Sequence, residues 1–245
     1  MKPNRTLVIG DQHGALKAVK QVLENCKFNP QQDLLINLGD IVDGWSESSE
    51  LVQFYIEFSE ECKFRPVFIR GNHDVFCQEW LNDGVPKTNW LMQGGKSTVE
   101  SYINTGYITE KSHLKFFKSM KDFYLDEENR AFVHAGFTSP KGLGNELEFK
   151  TYYWDRTLWD LANEKTRQMN LESEMDIFNV HKEVYIGHTP TLIQGETIPI
   201  KKYNIWNIDT GAAYTGKITI INIETKEFWQ SDIVQDLYPN ENGRN

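Results

Sequence analysis

With 245 residues, 39% of them hydrophobic, the chain is long enough to enclose one well-formed core, and nothing in it forces a division into two. Its formal net charge of −9 speaks against a polyanion-binding surface, so no nucleic-acid partner is expected. No run approaches the roughly 20 apolar residues of a membrane helix and the first residues lack an apolar leader, so no membrane partner is expected; the 3 cysteines (Cys26, Cys62, Cys77) lack C-x-x-C spacing, which suits a reducing cytoplasm and assigns them to packing.

In chain order, residues 6–9 read as a strand, and a helix follows over 14–25 with Leu16, Val19, Val22 and Leu23 on one face. Residues 34–38 form a second strand and 48–62 a second helix, with Leu51, Phe54, Tyr55 and Phe58 at helical spacing. A third strand at 66–69 leads through G-N-H-D into a helix over 75–81. Three β-loop-α units in succession are the signature of parallel strands. Residues 82–122 are expected to make a helical excursion over the sheet, interrupted by the glycine pair at 94 and 95, with a helix over 113–120. Strands follow at 123–125, 131–135 and 183–186, with a polar, aromatic-rich insertion at 137–183 as the expected substrate wall. From 197 onward short β runs read as an antiparallel sheet packed on the first. A single domain over 1–238 and a loose tail over 239–245 are expected.

The apolar runs share one grammar. The buried run L-L-I-N-L at 34–38 stops at Gly39 and is followed by Asp40; four other runs end at Asp11 and His13, at Asn72 and His73, at His134, and at His188. Ligands bind at the carboxyl ends of strands in open α/β sheets, so these five tips are placed to converge from distant positions. Crowded carboxylates repel one another and raise each other's pKa unless a cation joins them, so convergence implies metal.

Taken together, G-D-Q-H-G at 10–14, G-D-I-V-D-G at 39–44, R-G-N-H-D at 70–74, H-A-G at 134–136 and G-H-T-P at 187–190 resemble the calcineurin-like metallophosphoesterases. Within them they look like the phosphoprotein-phosphatase branch, which includes bacterial and phage serine/threonine phosphatases and symmetrical diadenosine tetraphosphatases. The likeness runs from residue 6 to about 216 and includes I-D-T-G at 208–211.

The resemblance implies an α/β fold in which two mixed sheets pack as a sandwich with helices on the outer faces. It also implies two divalent transition-metal ions. Asp11 and His13 would hold the first, Asp40 would be shared, and Asn72, His134 and His188 would complete the second. One carboxylate can offer an oxygen to each of two cations about 3.5–4 Å apart. Mixed oxygen and imidazole ligation suits manganese, taken first, with iron or zinc as alternatives. The implied reaction is in-line attack of a two-metal-bound hydroxide on phosphorus, with His73 as general acid and Asp43 orienting it and keeping it charged. Asp74 is read as a supporting residue.

Phosphate also needs cationic donors. The phosphatase motif places an arginine where this chain has Gly44, so Gly44→Arg is expected to lower KM for phosphomonoesters. Arg156, in Y-Y-W-D-R, is the first candidate for gripping the phosphate, joined by Asn72; Arg70 is a further candidate, with bracing of the G-N-H-D loop as its alternative. The expected function is phosphomonoester hydrolysis of the serine/threonine protein phosphatase type, on a phosphorylated protein or a small phosphoester. Two alternatives stand beside it: a dinucleoside polyphosphate or phosphodiester hydrolase, and a catalytically silent protein-binding scaffold. Oligomeric state is left open. His113 and His181 are read as structural, the aromatics Tyr152, Tyr153, Trp154 and Trp159 as core before base-stacking surface, and Lys201 and Lys202 as a solvated edge.

Overall fold

In a computed structural model, which describes residues 2–167 and 177–244, the strands form two five-stranded sheets. The first has the order β10-β9-β1-β2-β3, from Phe228–Gln230, Thr219–Asn222, Arg5–Ile9, Asp33–Asn37 and Val67–Phe68. Its β1-β2-β3 core is parallel, and β9 joins antiparallel to β1. The second has the order β4-β5-β6-β8-β7, from Phe123–Leu125, Arg130–Val133, Glu183–Ile186, Ile205–Asn207 and Ile200–Lys202.

Alternation along the strands explains the layering. Side chains point to opposite faces with a period of two, so Val8, Ile36 and Ile221 meet Phe132 and Tyr185 between the sheets. Phe132 and Tyr185 stack at 5.2 Å. The neighbours Leu7, Ile9, Leu35 and Ile220 face outward beneath α1 (Leu16–Asn25) and α2 (Ser48–Glu61). On the second sheet Ala131, Val133, Val184 and Ile186 face outward to Tyr152 of α7 (Thr151–Trp154) and to Leu158, Trp159 and Ala162 of α8 (Thr157–Arg167). Runs of consecutive apolar residues result, such as residues 7–9 and 131–133, because both faces of each central strand are covered.

Two expectations change. The late strands do not make a sheet of their own: β7 and β8 extend the second sheet, with β8 parallel to β6, while β9 and β10 complete the first. Thr219 to Asn222 is fully covered and belongs beside β1, where apolar surface is available on both sides. In the excursion, α3 (Asn72–Asp83), α4 (Thr88–Trp90), α5 (Lys96–Thr105) and α6 (Lys111–Ser119) lie over the first sheet, and the helical path is interrupted at the glycine pair as expected, with Gln93 and Gly94 out of helical backbone (φ of −104° and 103°) between α4 and α5. The second change is the tail. After α9 (Val234–Leu237), Glu241 accepts hydrogen bonds from the Ser46 N–H and Oγ at 2.9 and 2.7 Å, and the Arg244 N–H donates to the Ala213 carbonyl at 2.9 Å. Tyr238 stacks on Trp45 at 5.3 Å. Described residues 239–244 are thus held against the loop at 44–47 by polar groups and backbone, which a count of apolar residues does not register. Of the insertion, residues 168–176 lie outside the described residues.

Candidate active site

Each tip places its side chain by a loop that begins where the strand ends. The loops after β1 and β2 are zipped together: His13 N–H donates to the Asp40 carbonyl at 2.9 Å, Gly14 N–H to that of Ile41 at 2.7 Å, and Trp45 N–H to that of His13 at 2.9 Å. Asp74, in the first turn of α3, joins the second and third loops. Its carboxylate accepts from the N–H groups of Gly71 and Asp40 at 2.8 Å and of Ile41 at 2.9 Å. A carboxylate at a helix N-terminus satisfies donors the helix itself leaves open. Burial and the neighbouring Asp40 charge raise its pKa to about 7.

The loops approach so closely that glycine is required beside the candidate ligands. A Cβ on Gly71 would fall 2.0 Å from Asp40 Oδ1, and one on Gly187 2.1 Å from Asp11 Oδ1. His13, Asp40, Asp43 and His188 take left-handed backbone with φ of 51°, 51°, 77° and 65°. Non-glycine residues sit there only when their surroundings hold them, and such strain gathers at functional sites.

One cavity of about 390 Å³ is lined by Asp11, His13, Asp40, Asn72, His73 and His188, together with Asp209. His134 is fully buried and reaches the same cluster, its Nε2 3.3 Å from Asp40 Oδ2 and 3.2 Å from His188 Nδ1, with Nδ1 2.8 Å from the Leu38 carbonyl. Ligand atoms of His13, Asp40 and His73 lie within 4.8 Å of one another, and so do those of Asp40, His134 and His188. Asp40 is common to both groups.

The donor set fits a pair of cations. Asn72 Oδ1 is buried with no hydrogen-bond partner, an acceptor that costs free energy unless something electrophilic meets it. Burial and the charge of Asp209 push the Asp11 carboxyl well above its ordinary range, and burial raises Asp209 to about 6, with Asp40 adding to the rise. Burial drives His13 and His188 down, toward the neutral imidazole that ligates metal. For His134 burial acts downward but the Asp40 charge outweighs it, giving about 10; burial likewise opposes Asp40, yet its three histidine neighbours hold it well below the usual range.

Beside these, His73 Nδ1 is 2.6 Å from Asp43 Oδ2. Two residues of the helical excursion hold Asp43: Trp90 Nε1–H donates to Oδ2 and Thr98 Oγ1–H to Oδ1 at 2.6 Å. With Nδ1 so engaged, the other ring nitrogen of His73 is the one left for the cavity.

The cationic residues divide. Arg156 lines the cavity, and its charge acts on His188. Arg70 does not line it; its guanidinium donates to the Met120 carbonyl at 2.8 Å and pairs with Asp122 at 3.5 Å. The phosphate-gripping expectation for Arg70 therefore gives way to its bracing alternative, because a residue one position before the loop glycine is spent on the neighbouring chain. Of the aromatics, Tyr152 and Trp159 are buried in core, whereas Trp154 is 37% exposed and lines the cavity. His113 (to Tyr102 and Gln53) and His181 (to Asn129 and the Leu143 N–H) are structural as expected.

Sequence reasoning gave no role to Asp209, although I-D-T-G at 208–211 belongs to the likeness, and missed Trp90, Thr98, Tyr214 and Arg244. Asp209 was within reach, since it follows a strand and an apolar residue as the others do. The rest lie in segments without strand-end grammar.

Fold and cluster together define a metal-dependent phosphoester hydrolase. The chain belongs to the calcineurin-like phosphoesterase family, which matches residues 4–208. It is 24% identical over 217 residues to serine/threonine-protein phosphatase 1 of Salmonella typhimurium, covering 89% of this chain and 91% of that protein. It is also 24% identical over 276 residues to the symmetrical bis(5'-nucleosyl)-tetraphosphatase of Neisseria meningitidis, covering 91% and 93%. Among solved structures, a metallophosphoesterase from Sphaerobacter thermophilus superposes with a TM-score of 0.54 at 17% identity over 94% of this chain and 87% of that one. Among the described residues no helix is long and apolar enough to cross a membrane.

Proposed function

We propose that this hydrolase is a phosphomonoesterase of the serine/threonine protein phosphatase type. The observation that carries the reading is the His73–Asp43 pair at 2.6 Å, set with Asp40 and Asn72 on a cavity of about 390 Å³. That volume lies near the low end of the roughly 300–1,000 Å³ of ligand pockets and suits a phosphoryl group on a short arm.

Asp11, His13 and Asp40 would hold one divalent cation, and Asp40, Asn72, His134 and His188 the other; manganese is the first choice and iron or zinc the alternatives. Such cations supply Lewis acidity, lowering the pKa of water and neutralising phosphoryl oxygens. The chain's own groups do the rest. Arg156, with Asn72, positions the phosphoryl group. As a water oxygen adds to phosphorus and the ester P–O bond breaks, His73 gives its proton to the departing oxygen. Asp43 keeps Nδ1 engaged, so the opposite nitrogen is the one that delivers. Trp90 and Thr98 fix Asp43 in turn. The insertion contributes to the substrate wall through Trp154 and Arg156, and the buried free cysteines fit a reducing cytoplasm.

A second reading, dinucleoside polyphosphate hydrolysis, is favoured by two aromatic residues that line the cavity, Trp154 and Tyr214, since aromatic rings are the side chains that stack on bases. Activity of metal-stripped protein reloaded with manganese decides between them, measured on a phosphopeptide, p-nitrophenyl phosphate, its bis-ester and diadenosine tetraphosphate. Preference for the monoesters is the expected result. Preference for the bis-ester or the dinucleotide would install the second reading, and no turnover with any divalent metal would return the chain to a binding scaffold.

A further inference from the structure

Gly44 leaves a gap beside the site, and the gap is filled from a distant part of the chain. A Cβ on Gly44 would fall 3.2 Å from Arg244 Cγ and 3.3 Å from the His13 carbonyl; one on Gly94 would fall 3.0 Å from the same Arg244 Cγ. The two glycines, with φ of 122° and 103°, are joined by a hydrogen bond from the Gly44 N–H to the Gly94 carbonyl at 3.3 Å. They form a slot for the arginine stem. The slot ends at the cavity, which Arg244 lines together with Asp11, His13, Asp40 and Asn72. Tail contacts hold it there: the Arg244 N–H on Ala213, Glu241 on Ser46, and Tyr238 stacked on Trp45.

The guanidinium arrives without an acid of its own. Among the described residues no carboxylate lies within ion-pair distance of it, and its Nε is buried with no hydrogen-bond partner. Its nearest aromatic is Tyr214, with Cζ 5.8 Å from the ring centroid. A buried, unpaired donor on a cation is expensive unless an anion completes it. Arg156 and Arg244 both line the cavity, one reaching it from the insertion and the other from the tail.

We propose that Arg244, delivered through the Gly44–Gly94 slot, is a substrate-binding residue that grips the phosphoryl group jointly with Arg156. It selects phosphomonoester dianions over diester monoanions, because a second guanidinium gains most from the second negative charge. The proposal rests on the phosphoester reading above.

The test uses manganese-loaded protein, with p-nitrophenyl phosphate, its bis-ester, and inorganic phosphate followed by calorimetry. In Arg244→Gln, KM for the monoester and Kd for phosphate should rise together, roughly ten- to a hundredfold. The bis-ester KM should move less, Tm should stay unchanged, and Arg244→Lys should recover part of the loss. Gly44→Arg, contrary to the expectation from sequence, should raise KM, because its backbone disfavours any side chain and its space is taken. Unchanged KM and Kd in Arg244→Gln would overturn the proposal. So would a lowered Tm without recovery in Arg244→Lys, which would assign the residue to tail docking, or a lowered KM in Gly44→Arg. If the parent protein binds phosphate through Arg244 yet hydrolyses neither ester with any metal, the functional reading fails and this assignment stands; if it binds no phosphate, both fail.

Discussion

The ligand row and the rim of the same cavity are built in different ways. Asp11, His13, Asp40, Asn72, His73, His134, His188 and Asp209 all follow closely on strands, and none is more than 6% exposed. Trp154, Arg156, Tyr214 and Arg244 come instead from the insertion, a late loop and the tail, and Trp154 is 37% exposed. Sheet hydrogen bonds fix the first set and cannot be altered without disturbing the core. The second set hangs on segments that can change independently. On the proposed reading the reaction is tied to the sheets, while the choice of substrate is left to the appended segments.

The comparison breaks first at Asp40. Asp40→Asn keeps the shape but removes the one carboxylate common to both ligand groups. Metal analysis should show loss of bound cation, with activity falling by more than the roughly 10–100-fold that removal of an outer partner costs. Full metal occupancy in the variant would show that the two groups do not depend on a shared carboxylate.

His73 tests whether every member of the row is a ligand. His73 is within ligand reach of His13 and Asp40, yet its Nδ1 is engaged by Asp43. His73→Asn should lower kcat about 10²- to 10⁴-fold, the range for a lost general acid, while both metal equivalents remain. Loss of one equivalent would move His73 into the coordination set.

Most of the row was legible because its signal is local: an apolar run, a glycine and then a polar side chain, repeated in order. The glycines carried part of that signal for a physical reason, since a Cβ on Gly71 or Gly187 would fall 2.0 or 2.1 Å from a carboxylate oxygen of Asp40 or Asp11. The runs by themselves pointed to parallel strands, and the layered sandwich came from the family resemblance that the motifs carry. The pairing of the late strands was not legible, because β8 and β9 have similar apolar composition and their allocation to different sheets depends on partners far away in sequence. Arg244 was invisible for a related reason. A short polar segment reads as loose by composition, and its docking depends on Ser46, Ala213 and Trp45, none of which announces a partner.

A smaller effect is expected where the excursion supports the acid pair. Thr98→Val preserves shape but removes the 2.6 Å hydrogen bond to Asp43 Oδ1. The expected cost is about tenfold in kcat with KM unchanged. In a His73→Asn background the same change should add nothing further, because both act through one proton. An additive loss would mean that Thr98 affects the cluster by another route.

Arg70 should give the least. It sits between the G-N-H-D loop and the strand at Phe123–Leu125, donating to Met120 and facing Asp122 at 3.5 Å, and both partners of that ion pair are part-exposed. Part-exposed pairs contribute little, and one hydrogen bond to a carbonyl adds on the order of 1 kcal/mol. Arg70→Gln should therefore lower stability by about 1 kcal/mol in denaturant unfolding and leave KM for a phosphomonoester where it was. The contrast with Arg156 and Arg244 makes this informative: all three are arginines near one anion site, but only the two that line the cavity should change KM. A KM that rose in Arg70→Gln would mean that the loop it braces transmits its position to Asn72, linking the scaffold to the rim after all.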